Sequence, residues 1–397
     1  MSTNRLTLIK HLQNPFVLDG RYSDFRIENC DPVTGNFIGK GSLSVVFRAN
    51  DHKTGQTVAV KFFNPDHQGL RPFRADLFQR ECDLLQRLVG KHRFVQLVAP
   101  IADLPITGSD PTGAPITIHC YYFVIEWLER DVADYFYRQD HIDAISRLRF
   151  FRNAVLSVAA LHYEGLTHRD LKPDNLKETR RGTTDTIVII DFGTAVDDKS
   201  SHIGGSIDYS RPVGATAYAP IETHCGLAGV RGICYLSDYY ALGCMLFELF
   251  NVDHFAHVLA QDSGFKNCFT ECYHHIQRSG IPFDDDTALT AEWRKVIKQF
   301  KKQVTIPNID TKGNTVPAAV SNQLNRLLNG LTAVDFDDRL TDQNRIISLI
   351  DSTLLVLANE KSEARELERR RRIRVKRAEN LQIKQRRLDE HLAKRKS

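Results

Sequence analysis

The chain has 397 residues, of which 42% are hydrophobic and 26% charged, with a formal net charge of +4. Those values fit a folded globular chain large enough for a sizeable core, one or more domains in extent. No run of 18 apolar residues occurs and the opening MSTNRLTLIKHLQNPF lacks an apolar h-region, so neither a membrane span nor a secretory signal is expected. The eight cysteines form no Cys-x-x-Cys pair, and reduced thiols in the cytoplasm are the expectation.

In chain order, residues 1–35 are polar and weakly periodic, an N-terminal segment. Strand-like runs follow in GNFIGKG, SVVFRAND and QTVAVKFF, the last two joined by a hairpin turn at Asp51–Gly55. RADLFQRECDLLQRLVGK carries Leu77, Leu84, Leu85 and Leu88 at helical spacing and closes at Gly90. PITGSDPTGAPIT, residues 105–117, reads as a long loop or insertion, and YYFVIEW as a buried strand. A long helix ends at Gly165, and TIVII is a short apolar strand. From LSDYYALGCMLFELF onward the pattern is helical, with residues 252–315 a second insertion. Strands leading and helices following predict an α+β architecture: a small sheet-rich lobe at 36–127 with one main helix, a larger helical lobe at 128–357, and a tail at 358–397. The tail has 15 Lys/Arg against 7 Asp/Glu, a net +8 where the rest of the chain sums to −4, and is helical or disordered.

The chemistry concentrates in four places. In IGKGSLSVVF, Gly39 and Gly41 flank Lys40, and with Ser42 they form a turn whose N–H groups can approach phosphate oxygens; alone, this is equally well a tight turn. In VAVK, Lys61 ends an apolar strand, where a lysine is costly to bury unpaired, and Glu81 on the next helix is the obvious partner; the plain alternative is two solvated side chains. In LTHRDLKPDN, Asp170 can accept a hydroxyl proton, Lys172 can neutralise a transferring phosphoryl group, and the Asn175 amide oxygen can ligate a metal. In IIDFG, Asp191 follows an apolar strand and can hold a divalent cation, with Gly193 to turn the chain.

These motifs, in this order, resemble the protein kinase superfamily, and Lys172 in DLKPDN resembles its Ser/Thr class, over roughly residues 36–350. The resemblance implies a two-lobed fold with ATP in the cleft, phosphates under Gly39–Ser42, Val46 and Ala59 over the adenine, and Ile125 as the gatekeeper. It implies a hinge at 126–128, with Glu126 and Leu128 contacting adenine through the backbone. Magnesium, with manganese as an alternative, would sit on Asn175 and Asp191. Glu222 resembles the acid closing the activation segment, with Arg339 as its partner, and Asp238 the acid bracing the catalytic loop. Arg169 resembles the arginine that clamps a phosphate on that segment, where Ser200, Ser201, Ser206 and Ser210 are candidates. Four departures stand out: Ser44 replaces the third glycine, YAPIE replaces the usual Ala-Pro-Glu ending, GATAY shifts Thr216 by one place, and Lys177 falls where an apolar adenine floor is usual. For Thr216 the expectation is a hydroxyl bonded to Asp170 or Lys172, and for the floor a local shift that brings in Leu176.

The expected activity is transfer of the γ-phosphoryl group of ATP to protein Ser/Thr hydroxyls, with autophosphorylation. A pseudokinase scaffold is the main rival; a small-molecule phosphotransferase would lack HRDLKPDN, and a nucleic-acid-binding protein would not need Lys61, Asp170 or Asp191. ERRRRIRVKR in the tail fits an acidic partner or polyanion, with a solvated helix ranked above specific nucleic-acid recognition. Cys268, Cys272 and His275 would share a helix face in CFTECYHH, but the spacing matches no common zinc site, and buried cysteines beside surface histidines are the expectation.

Overall fold

Ser44–Asp51 (β2) and Gln56–Phe63 (β3) pair antiparallel across the predicted turn, from Asp51↔Gln56 to Ser44↔Phe63. The computed structural model describes residues 4–38, 43–67, 72–109, 114–137, 141–197, 214–309, 316 and 318–396, with side chains of the last helix as far as 376 and at 379. Gly39, Lys40, Gly41 and Ser42 lie outside the described residues, as do the candidate serines at 200, 201, 206 and 210.

The small lobe is a five-stranded antiparallel sheet in the order β1-β2-β3-β5-β4, completed by Tyr22–Ile27 (β1), Leu97–Ser109 (β4) and Pro115–Glu126 (β5). Alternation along β3 decides what each face holds. Val58, Val60 and Phe62 join a core that includes Phe47, Tyr122 and, from the helix Asn4–Gln13 (α1), Leu8, Ile9 and Leu12. Ala59, Lys61 and Phe63 point to the other face, toward the helix Pro72–Arg87 (α2). On α2, Phe78, Cys82 and Leu85 are buried, Leu88 just past its end is buried too, and Glu81 falls within that stripe.

Two sequence expectations change here. The segment before residue 36 is not only polar lead-in: α1 and β1 build one face of the small lobe. Residues 105–117 are mostly strand, since β4 and β5 stay in register from Leu104↔Cys120 to Ser109↔Pro115. Buried Leu104, Ile106, Ile118 and Cys120 outweigh the Pro/Gly signals, and β4 is an edge strand, where Pro105 is tolerated.

The large lobe is built on Ala144–Tyr163 (α4) and Leu236–Glu248 (α5), the latter buried on nearly all sides. Between the lobes run Arg130–Asp131 (β6) and Ala133–Tyr137 (α3), and after α4 come Leu166–Thr167 (β7), Leu176–Arg181 (β8), Thr184–Ile189 (β9) and Val196–Asp197 (β10). Residues 252–315 are largely helical rather than loop: Phe255–Leu259 (α6) packs into the main large-lobe core, and Ser263–Arg278 (α7) and Asp286–Phe300 (α8) share a second core in which Trp293 stacks on Phe336. Ala318–Leu331 (α9) leads to Gln343–Lys396 (α10), a 54-residue helix. Ile346, Ile350 and Leu357 of α10 are buried in the large-lobe core; beyond Leu357 its described residues are largely exposed. Among the described residues no helix is long and apolar enough to cross a membrane.

Candidate active site

Lys61 Nζ lies 2.7 and 2.8 Å from the two Glu81 oxygens and 3.0 Å from Asp191 Oδ1. Burial pulls the pKa of this lysine down, but the Asp191 and Glu81 carboxylates outweigh it and hold the pKa above the ordinary value. Lys61 in turn depresses Asp191 against the effect of burial. Val46 stands opposite Lys61 and Ala59 opposite Ile125, so both apolar residues share the lysine's face of the sheet, as a cleft roof requires.

Asp191 sits in the left-handed region at φ 61°, ψ 73°, which an aspartate tolerates better than most residues. The turn is pinned by Phe192, which is fully buried with its ring centroid 5.5 Å from that of His168 and 6.1 Å from that of Phe94. Asp191 itself remains 46% exposed.

The loop from β7 to β8 carries the second group. Asp238 on α5 accepts the N–H of His168 and of Arg169, each at 2.9 Å, and lies 2.9 Å from His162 Nε2. Asp170 Oδ2 accepts from Lys172 Nζ and Asn175 Nδ2 at 3.0 Å. Asn175 Nδ2 also donates to the Asp170 carbonyl at 2.7 Å, so its Oδ1 is turned away from Asp170. Asn175 Oδ1 and the exposed Asp191 carboxylate are hard oxygen donors of the kind magnesium takes. Among the described residues no cluster of three or more His, Cys, Asp or Glu forms a metal site.

The other predicted positions divide. Glu222 and Arg339 form a buried pair at 2.6 Å, and Asp238 braces the loop as its position implied. The Glu126 N–H donates to the Gln96 carbonyl at 2.9 Å, while its carboxylate accepts the Gln96 N–H and pairs with Arg181. Leu128 is buried at the end of that hinge. Leu176 does not shift into the cleft: it is buried opposite Ile189, while Lys177, facing the other way along the strand, bonds Asp131. Thr216 is exposed, and the group meeting Asp170 is the N–H of Ala215, 2.6 Å from Oδ1. Arg169 donates to the carbonyls of Thr194 and Ala228, at 2.9 and 3.4 Å. Sequence reasoning missed Ala215, because a backbone donor leaves no side-chain signal, and it missed the ion pair of Arg87 with Asp197. Cys268 and Cys272 are buried in the α7–α8 core, and His275 turns instead to Glu292 at 2.5 Å.

A family model for the protein kinase domain matches residues 33–350. The chain belongs to the protein kinase family. Serine/threonine-protein kinase PknD of Mycobacterium tuberculosis is 26% identical over 213 residues, covering 53% of this chain and 28% of that protein. Mitogen-activated protein kinase kinase 7 of Arabidopsis thaliana is 28% identical over 219 residues, 55% of this chain and 62% of its own length. A rice protein named among the cyclin-dependent kinases is 31% identical over 216 residues, 53% of this chain and 59% of that one. This kinase thus matches less than two thirds of each relative's length. The matched span takes in every group of the cleft described above and most of both lobes, leaving out α1 and β1.

Proposed function

We propose that this kinase-family chain transfers the γ-phosphoryl group of ATP to Ser/Thr hydroxyls of proteins, its own included. The observation that carries the reading is the joint arrangement of Lys61, Glu81 and Asp191 above Asp170, Lys172 and Asn175. Lys61, charged and steered by Glu81, orients the α- and β-phosphates, which Gly39, Lys40, Gly41 and Ser42 would also bind. The adenine lies under Val46 and Ala59 against the peptide groups of 126–128. Asp191 and Asn175 would hold magnesium, which would supply positive charge to the phosphates. Asp170 orients the substrate hydroxyl and accepts its proton, and Lys172 offsets charge developing on the transferred group. Positioning and electrostatics of this kind are what phosphoryl transfer asks of a protein.

A pseudokinase is disfavoured because each of these groups is present with a working partner. The Ser/Thr assignment rests on Lys172 in DLKPDN and on the relatives' names. The basic part of α10 offers a polyanion or acidic partner exposed arginines, including Arg365, Arg371 and Arg374, spread around the helix. Transfer of label from γ-labelled ATP to the chain and to a generic protein substrate, followed by phosphoamino-acid analysis, tests the reading. Labelled serine or threonine with the native chain, lost in Asp170→Ala, supports it; nucleotide binding without transfer would make the chain a scaffold.

A further inference from the structure

A carboxylate oxygen accepts about two hydrogen bonds. Asp170 Oδ2 already has two, from Lys172 and Asn175. Oδ1 has one, from the Ala215 N–H at 2.6 Å, and so keeps one lone pair. That contact depends on the residue before it. Gly214 has φ +79°, and a Cβ there would lie 2.7 Å from the Arg169 carbonyl oxygen and 2.7 Å from Asp170 Oδ1. Only glycine lets the main chain pass this close in this conformation.

We propose that the Gly214–Ala215 peptide is the positioning group for Asp170. Its N–H fixes Oδ1 so that the remaining lone pair of that oxygen receives the substrate proton. The assignment rests on the phosphotransfer reading above. In that step the substrate hydroxyl proton passes to Asp170 Oδ1 and the substrate oxygen bonds the γ-phosphorus. The bond from phosphorus to the β,γ-bridging oxygen breaks, and its electron pair leaves on ADP. A backbone donor explains how the site keeps its geometry although GATAY has no hydroxyl beside Gly214: Ala215 needs no side chain for the task, and Thr216 is exposed.

Ala215→Pro isolates the N–H, because Ala215 already has φ −79°, within the range of proline. Single-turnover transfer at saturating ATP should fall about 100-fold in this variant, the scale of a misplaced catalytic group, with nucleotide affinity unchanged. Gly214→Ala should do the same, and Ala215→Ser, which keeps the N–H, should recover most of the rate. A second readout needs no turnover. In spectra of the full chain labelled with 15N-alanine, the Ala215 amide proton should resonate downfield, and Asp170→Ala should move it upfield. Native transfer rates in Ala215→Pro, or an Ala215 amide unmoved by Asp170→Ala, would overturn the proposal. A native chain that transfers no label would instead remove the phosphotransfer reading, and the amide shift would still decide the contact.

Discussion

Two charged groups face each other across the cleft, and they are held in opposite ways. Lys61, Glu81 and Asp191 come from β3, α2 and the turn after β9, and are joined to one another side chain to side chain. Asp170 and Asn175 sit in a loop tied by its main chain: Asp238 takes the N–H of His168 and Arg169, and the Ile190 N–H donates to the Asn175 carbonyl at 3.0 Å. Displacing α2 would take Glu81 from Lys61 and leave the Lys61–Asp191 pair. Dismantling the second group means breaking bonds to a helix buried in the large-lobe core. The lower group is thus built into the fold through its main chain, whereas the upper one is held by side-chain contacts between separate elements.

The largest expected effect comes from removing members of either group. Asp170→Ala and Lys61→Ala should each lower single-turnover transfer by about 1000-fold, and the double variant little further, because the groups act as one unit. Circular dichroism should show both variants folded.

Bracing residues separate the two groups. Asp238→Ala strips a buried carboxylate from two main-chain donors and should cost about 3 kcal/mol or more, read as a lower thermal midpoint together with a lower rate. Glu81→Gln should lower the rate about tenfold with the midpoint nearly unchanged, since Asp191 still pairs Lys61. Equal losses of stability in the two variants would erase the distinction drawn above.

Smaller effects are expected at the edges. Arg87 joins the C-terminal end of α2 to Asp197 on β10 through a partly exposed pair, and Arg87→Ala should cost about 0.2–1 kcal/mol by chemical denaturation. On α10, Lys361 bonds Asp143, the N-cap of α4, at 2.6 Å, and with the α4 N-terminus holds that carboxyl down to about 2. A depressed carboxylate stabilises the fold above its unfolded pKa of about 4, and the contribution fades as pH falls toward the folded value. In Lys361→Ala the Asp143 titration, followed by carboxyl NMR, should move upward. Truncation after Ala358 removes the same contact, leaves Leu357 as the last buried residue, and should leave the lobes folded.

Most of this site was legible because it depends on side chains whose type is the signal. Lys61, Glu81, Asp170, Asn175 and Asp191 can be ordered from their motifs alone, and the pairing of Lys61 with Glu81 follows from the cost of burying a lone cation. The contribution of α1 and β1 was not legible, since three buried residues in a ten-residue helix make a faint pattern. The β4–β5 hairpin was hidden by Pro and Gly, whose local preference yields to cross-strand burial of Ile106 and Ile118. Lys177 was noticed as a departure, but its partner Asp131 emerges only when β6 and β8 pair.

The central claim is that the cleft is an assembled phosphotransfer site. Rapid-quench transfer from γ-labelled ATP and magnesium to a protein substrate, comparing the native chain with Asp170→Ala at matched nucleotide occupancy, tests it most directly. The account predicts label on serine or threonine from the native chain and a loss of about 1000-fold in the variant, with ATP still bound. Equal transfer by the two proteins, or none by the native chain with ATP and magnesium bound, would contradict it.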